Sequence, residues 1–190
     1  MPNQPTRDDA LALLHQYTKS DSLRRHALGV EQAMIKMAEK YDGDINEWGL
    51  TGLLHDFDYE MYPTMEEHPY KGNEILKEKG YPESICKAIM GHATYTGILR
   101  DTDMAKSLFS VDELTGFIFA VTYVRPSRSI FEVKPRSVKK KLKQKSFAAS
   151  VVREDIYLSV EELEIDMTEH IQFVIDALAE KAEILGLAGD

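Results

Sequence analysis

Residues 44–56 read DINEWGLTGLLHD, and this stretch decides how the rest of the chain is read. Asp44 is placed to cap a helix, and Trp48, Leu50, Leu53 and Leu54 carry that helix to the adjacent pair His55-Asp56. His26 stands before the pair, and His68, His92 and Asp112 stand after it. Together these imidazoles and carboxylates form a donor set for one or two metal ions. Mixed N and O donors suit Mn, Fe, Co, Ni and Zn, and a carboxylate can bridge two ions where an imidazole cannot. Asp56 is therefore the expected bridge. Two ions about 3.5–4 Å apart can activate a shared water, polarise a phosphoryl oxygen and steady both groups of a displacement, so phosphoester hydrolysis is the reaction served best.

Working outward, the apolar spacing is helical almost throughout. Asp8 or Asp9 is expected to cap a first helix carrying Leu11, Leu13, Leu14 and Tyr17. Ser20 or Asp21 opens a second, in which Leu23, Ala27, Val30, Met34 and Met37 form a core-facing stripe that Gly43 ends. Residues 57–67, with Pro63, read as a loop. Pro69 fits the first turn of a helix that stops at Gly80, and Pro82 starts another through Ile85, Ala88, Ile89 and His92. A strongly apolar helix is expected over 111–124, with Asp112 near its start and Pro126 limiting it. Two more helices are predicted at 135–151 and 168–185. Strand-type alternation, internal repeats and a dividing linker are all missing from the pattern, which predicts an all-α, single-domain helical bundle. Within it, 1–20 would be an N-terminal helix or extension, 21–125 the metal-binding core, and 126–190 C-terminal helices packed on that core. A bundle can gather donors from distant helices into one interior pocket.

Composition narrows the setting. A chain of 190 residues buries enough surface to fold without disulfides, and its single cysteine, Cys86, can form none within the chain. Cys86 is expected to act as a small apolar residue. The stretch from Met1 to Asp21 is polar and acidic, unlike a secretory signal, and apolar runs long enough to cross a bilayer are absent. A cytoplasmic location with no membrane partner is the expectation. The net charge of −9 argues against general nucleic-acid binding, while oligomeric state is open.

The order of His26, then His55-Asp56, then Asp112 resembles the H…HD…D signature of the HD-domain metal-dependent phosphohydrolase superfamily. The resemblance extends to residues 68–76 (HPYKGNEIL) and 89–92 (IMGH), which look like the second and third histidine motifs of HD proteins that carry two metals. Residues 54–60, 109–116 and 137–147 look like an uncharacterised bacterial group of predicted HD hydrolases. The resemblance implies one ion on His26, His55, Asp56 and Asp112 and a second on Asp56, His68 and His92. It also implies that Asp56 and His55 are catalytic. Where HD proteins that cleave cyclic dinucleotides usually follow the pair with Ile-Gly-Lys, this chain has Phe57, Asp58 and Tyr59. The long insertions of HD nucleotide triphosphohydrolases and alarmone synthetases are also missing.

Some residues keep two readings. Asp112, read as a ligand, has an alternative as an acid favoured by a helix dipole, and Glu113 beside it is a competing or supporting carboxylate. Asp58 and Glu60 either orient ligand imidazoles or face water as loop acids. Gly72 either admits a close neighbour or is a tolerated surface glycine. His15 and His170 fall outside the pattern. The basic run Lys134, Arg136, Lys139, Lys140, Lys141, Lys143 and Lys145 has Val138, Leu142 and Phe147 at near-helical spacing, which predicts a packed helix. Lys139, Lys140 and Lys143, with Arg125 and Arg128, are candidate contacts to a substrate phosphate, or else a solvated face. The expected activity is hydrolysis, through metal-activated water, of a small phosphorylated metabolite or nucleotide. The alternatives are a di-iron oxygenase of the HD type, which uses a similar donor set, and a non-catalytic regulatory protein binding metal or an anion.

Overall fold

The computed structural model describes residues 5–189. Among them are ten α-helices and no strand, apart from a lone antiparallel bridge between Ser129 and Ala188. The fold is all-α. Residues 1–4 of the expected N-terminal extension and Asp190 of the expected C-terminal segment lie outside the described residues.

Helix α1 (Arg7–Tyr17) is capped by Thr6, not by Asp8 or Asp9. Asp9 instead supplies the reciprocal half of a capping box, its carboxylate accepting from the Thr6 amide at 2.9 Å. Helix α2 (Asp21–Tyr41) opens on Ser20 and buries Ala27, Val30, Met34 and Met37. Its left-handed terminal residue is Asp42 (φ 54°), one position before the Gly43 that the sequence suggested. Helix α3 (Ile45–Leu54) is capped by Asp44, whose carboxylate accepts from the Glu47 amide at 2.8 Å. The chain then turns through 55–69 into α4 (Tyr70–Glu78), α5 (Glu83–His92) and α6 (Asp103–Tyr123). Pro69 lies just before α4, outside its first turn.

The start of α6 is the largest correction. Thr102 caps it, and Met104, Ala105, Leu108 and Val111 are buried along it, so the helix begins well before Val111. Lys106 and Asp103 break the apolar run without breaking the period. Asp112 is therefore nine residues in, about 13 Å from the helix start, which removes the dipole reading of its charge.

The helix expected over 135–151 is two elements. Helix α7 (Pro135–Leu142) stops early, and a turn leads into α8 (Arg153–Glu162), which the sequence reading missed. The guanidinium of Arg153 holds that turn by donating to the carbonyls of Leu142 (3.0 Å), Gln144 (3.0 Å), Phe147, Ala148 (3.4 Å) and Val151 (3.2 Å). One side chain thus reaches five carbonyls, of which those of Gln144 and Ala148 also accept turn amides. The last expected helix, 168–185, is likewise divided into α9 (Met167–Ala179) and α10 (Ala182–Leu185).

Helices α2, α3, α5 and α6 pack against one another, α8 lies on α6, and α9 contacts α2 and α7. Their buried apolar residues form one continuous cluster, from Leu13 of α1 to Leu185 of α10. No helix among the described residues is long and apolar enough to cross a membrane. Helices α2 and α3 approach closely at Gly52, where a Cβ would stand 2.8 Å from the Val30 carbonyl oxygen and 3.0 Å from the Glu31 backbone. This contact sets α3, which ends in His55, against α2, which carries His26. Gly52→Ala is expected to force the helices apart and lower unfolding free energy by about 1–3 kcal/mol in urea titrations.

His170, on α9, is buried and donates from Nε2 to the Ser110 carbonyl at 3.0 Å. Burial pushes its pKa down to about 4. The unfolded chain binds a proton here between pH 6.5 and about 4 that the folded chain does not, so stability falls as pH drops through that window. His170→Gln should flatten the slope, removing up to about 3 kcal/mol of pH-dependent loss between those limits.

Candidate metal centre

Five segments bring the donors together. His26 stands in the second turn of α2, His55 is the C-cap of α3 with Asp56 after it, and His68 lies just before α4. His92 ends α5, and Asp112 occupies the middle of α6. The imidazoles form a chain of edge-on rings, His26 to His55 at 5.2 Å, His55 to His92 at 5.5 Å and His92 to His68 at 5.3 Å between centroids. Asp112 Oδ1 lies 3.1 Å from His26 Nε2 and 3.2 Å from His55 Nε2. Asp56 Oδ2 lies 3.5 Å from His55 Nε2, while its other oxygen, Oδ1, is 3.2 Å from both His68 Nε2 and His92 Nε2. The two groups thus share one carboxylate, with one oxygen turned toward each.

These spacings fit ions. Donors held about 2.1 Å from a metal and at right angles to each other stand about 3 Å apart. All four imidazoles present Nε2 to the carboxylates, and in three of them Nδ1 is already engaged. His55 Nδ1 donates to the Gly52 carbonyl at 2.8 Å, His92 Nδ1 to the Ile89 carbonyl at 2.5 Å, and His68 Nδ1 meets Asp58 Oδ1 at 2.9 Å. With Nδ1 carrying the proton, Nε2 offers a lone pair, the tautomer a ligand needs. His55 Nε2 is fully buried and has no hydrogen-bond partner. A buried nitrogen between two carboxylates and without a donor or acceptor of its own is accounted for by a cation. The donors fall into two groups that could each hold an ion, His26, His55, Asp56 and Asp112 in one and Asp56, His68 and His92 in the other.

The electrostatics agree. Burial opposes charge on His55, but Asp56 and Asp112 outweigh it and push its pKa well above the usual imidazole value. Burial likewise lowers His68, yet hydrogen bonds to Asp56 and Asp58 raise it to about 9. Burial resists ionisation of Asp56 and Asp112 as well, and the surrounding imidazoles still hold both carboxyls low. The pocket is anionic and draws in positive charge.

Asp58 is buried and hydrogen-bonded to His68, not a solvated loop acid. Its second oxygen accepts from the Gly72 amide at 2.8 Å, and a Cβ on Gly72 would lie 2.6 Å from the Asp58 carboxyl carbon. Gly72 therefore admits a close neighbour. Glu60 accepts from the amides of Lys19 (2.6 Å) and Ser20 (3.1 Å), tying the loop to the start of α2. Glu113 turns toward the Val152 amide, and burial, with Asp112 alongside, raises its carboxyl to about 8. Cys86 is buried, in keeping with an apolar role.

The basic candidates stand elsewhere. Arg125 is 13 residues beyond Asp112, about 20 Å along and past α6, and pairs with Glu132 at 3.3 Å. Arg128 is exposed near it. Lys139 donates to Thr168 Oγ1 at 2.9 Å, and Lys140 and Lys143 are exposed. The sequence reading also missed Arg100. Its guanidinium donates to the Gly91 carbonyl at 2.8 Å and pairs with Glu162 at 2.5 Å, binding the end of α5, where His92 sits, to α8. Only its position eight residues after His92 marked it.

Residues 23–114 match the HD domain family, a range that contains all six donors. A Staphylococcus aureus protein named bis(5'-nucleosyl)-tetraphosphatase, symmetrical, is 31% identical over 119 residues, a match covering 55% of this chain. The chain spans 59% of that relative's length. No solved structure matches the chain.

Asp58→Asn is expected to weaken binding of any metal ion that Asp56, His68 and His92 hold by tenfold to a hundredfold, roughly the usual effect of losing a carboxylate behind a ligand histidine. Competition with a chelator would measure it, and the ion at His26 and Asp112 should be held nearly as before.

Proposed function

We propose that the protein is a metal-dependent phosphohydrolase acting on a small phosphorylated metabolite or nucleotide. The observation that carries this reading is the Asp56 carboxylate, with Oδ2 toward His55 and Oδ1 toward His68 and His92. On it, His26, His55, Asp56 and Asp112 would hold one divalent transition ion, and Asp56, His68 and His92 a second. The relative's printed activity, on a nucleotide polyphosphate, points the same way. Such ions supply Lewis acidity toward phosphoryl oxygens and bring the pKa of a water to about 7.

The chain's own residues do the rest. The carbonyls of Gly52 and Ile89 and the Asp58 carboxylate keep the protons of His55, His92 and His68 on Nδ1, so that Nε2 faces the reacting space. Asp56 and His55, as the catalytic pair, fix the distance between the two halves of the site. Lys143, the remaining basic candidate, is exposed and has no contact among the described residues that brings it to the donors. Arg125, Arg128, Lys139 and Lys140 are left to the solvated surface.

The test is reconstitution. Protein stripped of metal and reloaded separately with Mn, Fe, Co, Ni or Zn should hydrolyse phosphomonoesters or phosphodiesters with at least one of them. His55→Ala and Asp56→Ala should each reduce kcat/KM by a factor of about a thousand or more, since removing metal chemistry removes several kcal/mol of transition-state stabilisation. Absence of turnover with every metal contradicts the hydrolase reading, and oxygen uptake by the iron-loaded protein would favour the oxygenase instead.

A further inference from the structure

The second donor group has an aromatic border. Tyr95, 41% exposed, donates its hydroxyl to the His68 carbonyl at 2.7 Å. Tyr59, 42% exposed, sets its ring edge-on to the His68 ring, centroids 5.3 Å apart and planes at 85°. Tyr70, 38% exposed, begins α4 two residues after His68. Tyr59 and Tyr95 therefore contact one candidate ligand histidine, Tyr70 follows it by two residues, and all three are partly exposed. The Tyr95 ring is anchored by its hydroxyl bond to the His68 carbonyl at 2.7 Å. The ring is held in place rather than free.

Exposed aromatic surface beside an anionic, metal-seeking pocket is unusual company. The neighbouring side chains on the same loop are soft as well, with Met61 and Met65 more than half exposed. The charged part of a phosphoester would be satisfied at the ions, while these rings offer flat, uncharged contact a short way outside. A planar heterocycle can stack face to face on each ring it reaches, a contact that a ribose or polyol without a π-face makes less fully.

We propose that Tyr59, Tyr70 and Tyr95 form a stacking collar that selects phosphoesters carrying a nucleobase over those carrying only a sugar or polyol. The inference rests on the phosphohydrolase reading for where the phosphate goes, but the stacking itself does not require turnover.

The experiment compares AMP with ribose 5-phosphate, which shares its sugar and phosphate and lacks the base. Both are titrated calorimetrically into the metal-loaded full chain. AMP should bind about tenfold tighter or more, as expected from stacking a base on aromatic rings. In Tyr59→Leu and Tyr70→Leu the ratio of the two affinities should fall toward one, while Tyr95→Phe, which keeps the ring, should retain it. Metal content and melting temperature show whether each variant is folded. In parallel, adenosine, which has no phosphate, should shift the ring proton resonances of the three tyrosines in metal-free protein. Equal binding of AMP and ribose 5-phosphate, or an unchanged ratio in both leucine variants, overturns the collar even if the protein is a hydrolase. Ring shifts and base preference without turnover on any phosphoester would leave the collar standing and remove the hydrolase.

Discussion

Two partly buried carboxylates set among helices, Asp56 and Asp112, impose the constraint on which the rest of this structure depends. Negative charge out of water must be matched, and unpaired it would neutralise instead. Here the matching groups are four imidazoles, every one with Nε2 within 3.5 Å of a carboxylate oxygen. Either the imidazoles take protons or the pocket takes cations. The buried and unpartnered His55 Nε2, with Nδ1 already given to the Gly52 carbonyl, favours the cation.

That demand propagates outward through packing. Gly52 lets α3 approach α2 closely, which brings His55 to within ring contact of His26. Gly72 leaves room for Asp58, and Asp58 in turn orients His68. Arg100 ties the end of α5 to α8 through Gly91 and Glu162, steadying the turn that ends in His92. Each of these residues is remote from the reacting space by at least one contact, and each fixes the direction of a donor that is not. Arg153 plays the equivalent part for the segment before α8, gathering the carbonyls of Leu142, Gln144 and Val151 onto one guanidinium.

Much of this was legible in the sequence, for physical reasons that also explain the failures. The donors could be read because a metal site needs particular atoms and the HD order carries them, and the all-α class because the apolar period is helical in every long segment. Their meeting across five segments is a property of the tertiary fold, which spacing alone does not contain. The start of α6 was misplaced because the apolar run from Val111 overshadowed the sparser stripe of Met104, Ala105 and Leu108, and with it Asp112 was put at a helix end. The break after Leu142 was invisible because it depends on Arg153, whose five carbonyl partners lie in the segment before it. Arg125 was nominated for its charge, and helix rise then carried it about 20 Å from Asp112. Composition suggests charges but does not say which way a helix delivers them.

The central claim is that one carboxylate serves two ions, and it is tested most directly by an anomalous-difference map of metal-soaked crystals, collected at the absorption edge of the bound metal. The account predicts two peaks about 3.5–4 Å apart on either side of Asp56, one against His26, His55 and Asp112 and the other against His68 and His92. A single peak away from Asp56, or a second peak that His68 and His92 do not touch, would contradict it.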